Sequence, residues 1–126
     1  MIYTTGFTGE MAEEAAFATW FREWFLNRFP TPARNRAAIT NALAQAYGLV
    51  IRGEDAFSID VEMSASQIVD YELSTTNIIA AAERKDATLD QAAAWMRESI
   101  MPFFGGSPRR TFRFAGTIWY LEKQAA

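Results

Sequence analysis

A stripe of large aromatic side chains near the amino terminus is the feature that most limits how this chain can fold. Between Glu10 and Phe29 the aromatic residues recur at offsets of three and four, which places them on one face of an α-helix. These residues are Phe17, Trp20, Phe21, Trp24, Phe25 and Phe29. Pro30 and Pro32 end the predicted helix. A face this apolar is expected to be buried, either in the core of the protein or against a partner.

The rest of the sequence predicts strands and helices in one domain, residues 1–126. Three segments have strand character: Met1 to Thr5, Leu49 to Met63 and Arg110 to Glu122. Gly6 and Gly9 predict a loop after the first strand, and Gly53 to Asp55 predicts a bulge or bend in the second. The remaining helices are predicted at about 32–48, 64–71, 76–85 and 88–101.

Two of these helices have a recognisable amino-terminal signature. Ser64 is followed three residues later by Gln67, and Thr88 is followed three residues later by Gln91. This spacing is typical of a capping box, in which the two side chains satisfy free backbone N–H groups of the first turn. At the other end of the last helix, Pro102 and then Gly105 and Gly106 predict its termination.

Composition excludes several classes of function. The sequence has 126 residues with neither cysteine nor histidine, so a Ser-His-Asp or Cys-His catalytic centre and His- or Cys-based metal sites are excluded. Its formal net charge is −3, which argues against a nucleic-acid surface. Neither a run of apolar residues long enough to span a membrane nor a signal peptide is visible, and the cytoplasm is the default location.

The second half of the chain, Ser64 to Leu121, resembles the carboxyl-terminal region of class I S-adenosylmethionine-dependent methyltransferases that act on small molecules. The resemblance is carried by the order of S-A-S-Q-I-V-D-Y, L-S-T-T-N-I-I-A-A-A-E, T-L-D-Q-A-A-A-W-M, M-P-F-F-G-G and R-T-F-R-F-A-G-T-I-W-Y-L. Each motif is weak alone, and the order and spacing carry the likeness.

The resemblance implies a partial α/β architecture, here an α+β fold with a three-stranded sheet and about five helices. Met1 to Thr5 resembles the fifth strand of such an enzyme, and Phe57 to Met63 resembles the sixth. Arg110 to Leu121 resembles the seventh, which is antiparallel and lies next to the fifth. On this interpretation Glu10 to Phe29 and Ser64 to Phe104 are insertions that form a substrate lid.

The cofactor-binding half of that family has no counterpart in this chain. S-adenosylmethionine is held there by a glycine-rich turn after the first strand, and the only adjacent glycines here, Gly105 and Gly106, follow a helix. We therefore predict no catalytic, cofactor-binding or metal-binding residue and no cofactor bound by the chain alone. The chain is interpreted as the carboxyl-terminal piece of a longer enzyme or as a truncated relative without catalysis.

Either interpretation predicts a partner. The first strand would lose its neighbour and the aromatic stripe would lose part of its cover, so we expect a homo-oligomer or a separate amino-terminal half. Nucleic acid and membrane are not expected as partners, whereas a small-molecule substrate is.

Six residues are candidates for contact with a substrate: Phe17, Trp20, Phe21, Trp24, Ser74 and Asn77. For the four aromatic residues, core or oligomer contact is the ordinary alternative. For Ser74 and Asn77 it is a helix cap and turn. Asp70, Tyr71 and Glu72 are interpreted as two solvated charges beside a packed tyrosine.

Two functional hypotheses of different classes follow. In the first, the chain is the substrate-binding or lid portion of a small-molecule methyltransferase, inactive alone. In the second, it is a non-enzymatic module that dimerises through its aromatic helix and can bind an apolar ligand. Whether the chain is an enzyme in its own right stays open at this point.

Overall fold

The protein, for which we analysed a computed structural model described for residues 1–32 and 39–124, has a mixed α+β fold. Four strands form an antiparallel sheet rather than the three predicted. They are β1 (Ile2–Tyr3), β2 (Gly6–Met11), β3 (Leu49–Met63) and β4 (Arg110–Lys123). The last of them, β4, pairs with each of the other three strands.

The pairing of β1 with β4 depends on a glycine. Ile2 lies opposite Trp119 and Tyr3 opposite Ile118, and the Thr4 N–H donates to the Thr117 carbonyl at 2.9 Å. A side chain at Gly116 would collide with the backbone oxygen of Thr4. Glycine in the F-A-G-T-I-W-Y-L run therefore lets the amino-terminal backbone approach β4 closely.

Within residues 1–32 and 39–124 there are five helices, in agreement with the prediction of about five. The first is continuous through an α-helix α1 (Ala16–Trp20), a π-helical turn (Phe21–Phe25) and an α-helix α2 (Leu26–Arg28). The others are α3 (Asn41–Ala46), α4 (Ala65–Leu73), α5 (Thr76–Glu83) and α6 (Leu89–Phe104).

Both predicted capping boxes are confirmed. Ser64 and Gln67 exchange hydrogen bonds of 2.9 and 3.2 Å at the start of α4, and Thr88 and Gln91 do the same at 3.0 and 3.1 Å before α6. The start of each helix is thus encoded locally. At its other end α6 continues past Pro102 and ends at Phe104, because Gly105 adopts the left-handed conformation (φ 57°).

The prediction for residues 6–15 was wrong. Residues 6–11 form β2 rather than a loop, and the first helix begins at Ala16 rather than Glu10. Contacts distant in sequence hold this segment: the Ala12 N–H donates to the Thr111 carbonyl at 2.9 Å, and the Glu13 carboxylate accepts from the Thr111 N–H and hydroxyl. Glycine-rich local sequence did not reveal these partners.

Two other expectations differ from the structure. Residues 33–38 of the predicted helix at 32–48 lie outside the described residues. Among the described residues of that segment, 41–46 are helical and form α3. The strand β3 is continuous through Gly53 to Asp55, where a bulge or bend was predicted. In the second half of this strand Phe57, Val61 and Met63 are half-buried and alternate with exposed polar residues, whereas Ile59 is 52% exposed.

The fold divides into two compact units, with the divisions falling inside β2, β3 and β4. The described residues of the first unit are 1–8, 39–59 and 114–124, and those of the second are 9–32 and 60–113. The first unit thus holds β1, α3 and most of β3 and β4. The second holds the first helical segment and α4, α5 and α6.

The second unit contains nearly all of the buried apolar residues. Its buried apolar side chains include Phe17, Phe25, Phe29, Ile68, Val69, Ile78, Met96, Ile100, Phe104 and Phe112. Among the described residues of the first unit, Ala44 is the buried apolar residue. No helix in the described ranges combines the length and apolar character needed to cross a bilayer.

Candidate functional site

A cleft in the second unit combines apolar walls with one ionisable group. Its lining comes from the first helical segment, α4 and α6, and consists of Phe17, Trp20, Phe21, Ile68, Val69, Glu72, Met96 and Ile100. The cleft as a whole leaves about 10 Å³ free, room for about one water molecule.

Glu72 is the ionisable residue of this cleft and is only 7% exposed. Its Oε1 atom is buried and has no hydrogen-bond partner among residues 1–32 and 39–124. Burial raises the pKa of the Glu72 carboxyl to about 7, because water that would stabilise the carboxylate is excluded. Near neutral pH both the acid and the carboxylate form of this group are therefore populated.

The position of Glu72 follows from the periodicity of α4. Ile68, Val69 and Glu72 are the buried residues of this helix, and offsets of three and four place them on one face. The interpretation of Glu72 as a solvated charge was therefore wrong. The sequence signal was its place four residues after Ile68 and three after Val69, where an apolar residue would normally stand.

The first helical segment contributes to the cleft at its π-helical turn. Trp20 and Phe21 lie at and just after the junction of α1 with this turn, and both are half-buried. Phe21 lies against Gly9, where an added Cβ would approach the Phe21 ring to 2.6 Å. Single π-helical turns are rare and are frequent at functional sites. The π-helical turn and the absence of a side chain at Gly9 together allow the Phe21 ring to lie where it does.

Three of the six predicted substrate residues come together in the cleft. Phe17, Trp20 and Phe21 line it, and Phe17 is also part of the core, with its ring 5.5 Å from those of Phe103 and Phe112. Aromatic walls of this kind exclude water and offer ring faces to a bound molecule.

Trp24 lies elsewhere, in a shallow surface depression with Glu23, Asn27, Arg28 and Trp95. Its side chain is 63% exposed. The Arg28 guanidinium lies 5.0 Å from the centre of the Trp95 ring, which is a cation–π distance. Trp24 therefore does not share a pocket with the other three aromatic candidates.

Ser74 and Asn77 do not line the cleft among the described residues. The exposed Ser74 hydroxyl donates to the Tyr71 carbonyl at 2.6 Å, as expected of a turn after α4. The Asn77 amide donates to the Phe29 carbonyl at 2.8 Å and to the Thr31 hydroxyl at 3.1 Å. Asn77 thus fastens α5 to the end of the first helical segment.

Several other charged side chains connect strands of the sheet. Arg113 pairs with Glu10 at 3.1 Å and with Asp60 at 3.2 Å. Burial alone would raise the pKa of Glu13, but hydrogen bonds from Thr111 outweigh it and hold the pKa below its ordinary value. In the described ranges no group of three or more acidic residues is placed to hold a metal ion.

Comparison of the chain with protein-family models, with curated proteins and with solved structures finds no match. The methyltransferase likeness of Ser64 to Leu121 therefore stays a prediction. Any inference about function rests on the chain's own residues, and chiefly on the cleft at Glu72.

Proposed function

We propose that this chain is the substrate-binding and lid portion of a small-molecule methyltransferase that uses S-adenosylmethionine, and that it is inactive alone. The observation that carries the proposal is the cleft at Glu72, which is lined by aromatic residues of the first helical segment and by a single ionisable group. A lining of this composition suits a small, largely apolar molecule oriented by one hydrogen bond, and the cleft would have to widen to admit it.

The strand pairing supports the same proposal. In the methyltransferase fold the seventh strand is antiparallel and lies next to the fifth. Here β4, the counterpart of the seventh, pairs antiparallel with β1, the counterpart of the fifth, and also pairs with β3. The helices α4, α5 and α6 fall between β3 and β4, where the resemblance places a lid insertion.

The chemistry expected of these residues is positioning and exclusion of water. S-adenosylmethionine, held by another segment, would supply the methyl group. Phe17, Trp20 and Phe21 would enclose the acceptor molecule in an apolar environment, and Glu72 would fix its orientation through a hydrogen bond. Methyl transfer from a sulfonium gains most from alignment and desolvation of the two reactants, so a chain without histidine or cysteine can contribute to it.

The proposal requires a partner that carries the cofactor. This chain contains no glycine-rich turn between a strand and a helix, so we assign cofactor binding to a separate amino-terminal half. We place the assembly in the cytoplasm.

A second candidate is a non-enzymatic module that dimerises. An apolar groove of about 320 Å³ in the first unit favours it. The groove is lined by Ile2, Ile39, Leu43, Ala44, Tyr47, Leu49 and Leu121. A homodimer covering this groove would need no cofactor-binding half.

The two candidates differ in what the coding sequence contains. For the methyltransferase portion, DNA upstream of the Met1 codon or in a neighbouring gene is expected to encode a strand, a Gly-x-Gly turn and a helix. Co-expression of that segment with this chain should yield a complex that transfers radiolabelled methyl groups from S-adenosylmethionine. Absence of such a segment, together with a stable homodimer of the chain, would favour the second candidate.

A further inference from the structure

The π-helical turn directs Trp24 to solvent. In a regular α-helix Trp24 would lie on the same face as Trp20, four residues before it. Here the Leu26 N–H donates to the Phe21 carbonyl, five residues back, so this turn holds one residue more than an α-helical turn. Phe25 takes the buried position next to Trp20, with the ring centres 6.0 Å apart, and Trp24 is left 63% exposed.

The depression around Trp24 has a firmly packed wall. Trp95, which lines it, stacks on Trp20 with the ring centres 5.8 Å apart. The Arg28 guanidinium lies 5.0 Å from the centre of the Trp95 ring, and this cation–π contact holds Arg28 beside Trp24. Trp24 therefore offers an accessible indole ring next to an arginine whose position is fixed.

The polar side chains beside Trp24 offer both donors and acceptors of hydrogen bonds. Arg28 contributes N–H donors, and none of the ion pairs among the described residues involves it. The Asn27 amide nitrogen donates to the Glu23 main-chain carbonyl at 2.6 Å, which leaves the Asn27 side-chain oxygen and the Glu23 carboxylate as acceptors. One positive and one negative side chain give this lining no net charge.

These features suit a saccharide better than an ion. A sugar hydroxyl donates and accepts hydrogen bonds, so it can use guanidinium, carboxylate and amide groups together. The C–H groups on one face of a pyranose ring are apolar and slightly positive, whereas the face of an indole ring is slightly negative. A small anion would be repelled by Glu23 and a small cation by Arg28. The volume of about 530 Å³ has room for a mono- or disaccharide.

We propose that this depression binds a neutral mono- or disaccharide, with a sugar ring stacked on the Trp24 indole and hydroxyl groups bonded to Glu23, Asn27 and Arg28. The site is separate from the cleft at Glu72, which is lined by other residues. The inference goes beyond the proposed function, and binding requires neither the cofactor nor a partner.

The test is an NMR titration of the full chain with cellobiose, maltose and N,N′-diacetylchitobiose, each to tens of millimolar. The indole N–H signal of Trp24 is identified by its absence from the spectrum of Trp24→Phe. We expect this signal to shift saturably with at least one of the three sugars. Failure of all three to shift it would overturn the inference.

Two small molecules test the class of ligand. Sorbitol has similar hydroxyl groups but no ring face, and glycine is a zwitterion that could pair with Glu23 and Arg28 at once. Neither should shift the Trp24 signal saturably in the same concentration range. Binding of sorbitol as tight as that of the sugars, or binding of glycine in their place, would overturn the assignment to a saccharide.

Variants of the ring locate the site. Trp24→Ala removes the stacking surface and should weaken sugar binding about tenfold or more, whereas Trp24→Phe keeps an aromatic face and should weaken it less. Because Trp24 is exposed, both variants should keep the urea midpoint of the unchanged protein. Tyr47→Ala is the control, because Tyr47 is an exposed aromatic residue of the first unit. Unchanged affinity in Trp24→Ala would place the sugar elsewhere.

A pair of arginine variants tests the polar contacts. Arg28→Ala removes hydrogen bonds from a charged donor and should weaken sugar binding about tenfold. Arg22→Ala is the matched control, because Arg22 is exposed on the same helical segment and its Nε donates to the Ala18 carbonyl at 3.3 Å. It should bind the sugar like the unchanged protein. Equal weakening in the two variants would contradict a hydrogen bond between the sugar and Arg28.

Discussion

The two units of this chain differ in how completely they bury their apolar side chains. The second unit packs α4 and α6 and the first helical segment into a core, with Phe17, Met96 and Phe112 each at most 1% exposed. The first unit leaves Ile2, Tyr3 and Tyr47 largely accessible, Tyr47 to 76%.

This difference indicates which part of the chain buries its apolar side chains without a partner. Burial of large apolar side chains is the main favourable term in folding, and the second unit achieves it internally. Exposed apolar residues beside an apolar groove, as in the first unit, are typical of a surface that another chain or segment covers. The pairing β1–β4 lies in that first unit.

The largest expected effect comes from a core residue of the second unit. Phe17→Ala removes a buried ring that contacts Phe103 and Phe112, and it should lower the free energy of unfolding by about 3–5 kcal/mol. Tyr47→Ala in the first unit should change it by less than about 0.5 kcal/mol, because that side chain is exposed. Urea denaturation measures both. Similar losses in the two variants would break the contrast between the units.

The next effect concerns the buried acid. The pKa of Glu72 is raised from 4.5 to about 7 in the folded protein, so folding favours the protonated form. Below pH 4.5 the group is protonated in both states and has no effect on stability. Between pH 4.5 and about 7 the unfolded chain releases this proton while the folded protein keeps it, so stability falls by about 3 kcal/mol in total relative to Glu72→Gln and levels off at higher pH.

Urea titrations of both proteins at pH 5 and pH 8 check this prediction. The difference between them should grow with pH, and Glu98→Gln, which alters an exposed glutamate, should not reproduce it. A pH-independent difference would mean that Glu72 is not titrating in an apolar site.

A smaller effect is expected at the close approach of β1 to β4. Gly116→Ala places a methyl group against the backbone oxygen of Thr4 and should displace β1, at about 1–3 kcal/mol. The amide of Thr4, which donates to the Thr117 carbonyl, should then exchange faster with solvent. Gly6→Ala is the matched control, because an added Cβ there meets nothing within 4 Å. Unchanged exchange at Thr4 in Gly116→Ala would contradict the account of this contact.

The smallest effects are those of helix caps, and they sharpen the contrast. Thr88→Ala removes one half of the capping box of α6 and should lower global stability by about 1 kcal/mol. Thr40→Ala removes the cap of the short helix α3, where Ala44 is the buried residue. Its effect should be confined to faster amide exchange in α3, with an unchanged urea midpoint. A comparable loss of global stability in both variants would show that α3 is part of the main cooperative unit.

Sequence reasoning succeeded where structure is locally encoded. The capping pairs Ser64–Gln67 and Thr88–Gln91 are short-range interactions, and both helix starts were predicted from them. It failed at β2, because that strand is held by partners about a hundred residues away, such as the hydrogen bond between Glu13 and Thr111. The local glycine content predicted a loop there, whereas pairing with distant residues makes the segment a strand.

The cleft was predictable only in part. Helical spacing placed Phe17, Trp20 and Phe21 on one face, and these three line the cleft. The same spacing included Trp24, but this residue is exposed in another depression. The burial of Glu72 was not predicted. A glutamate is normally exposed to solvent, and its position on the apolar face of α4 was not taken into account.

The most direct test of the central claim is calorimetric titration with S-adenosylmethionine, of this chain alone and of its complex with the segment encoded upstream or nearby. The account predicts no saturable binding by the chain alone and binding with a stoichiometry of one by the complex. Saturable binding by the chain alone, or no binding by the complex, would contradict the claim that the chain is the substrate-binding portion of a methyltransferase.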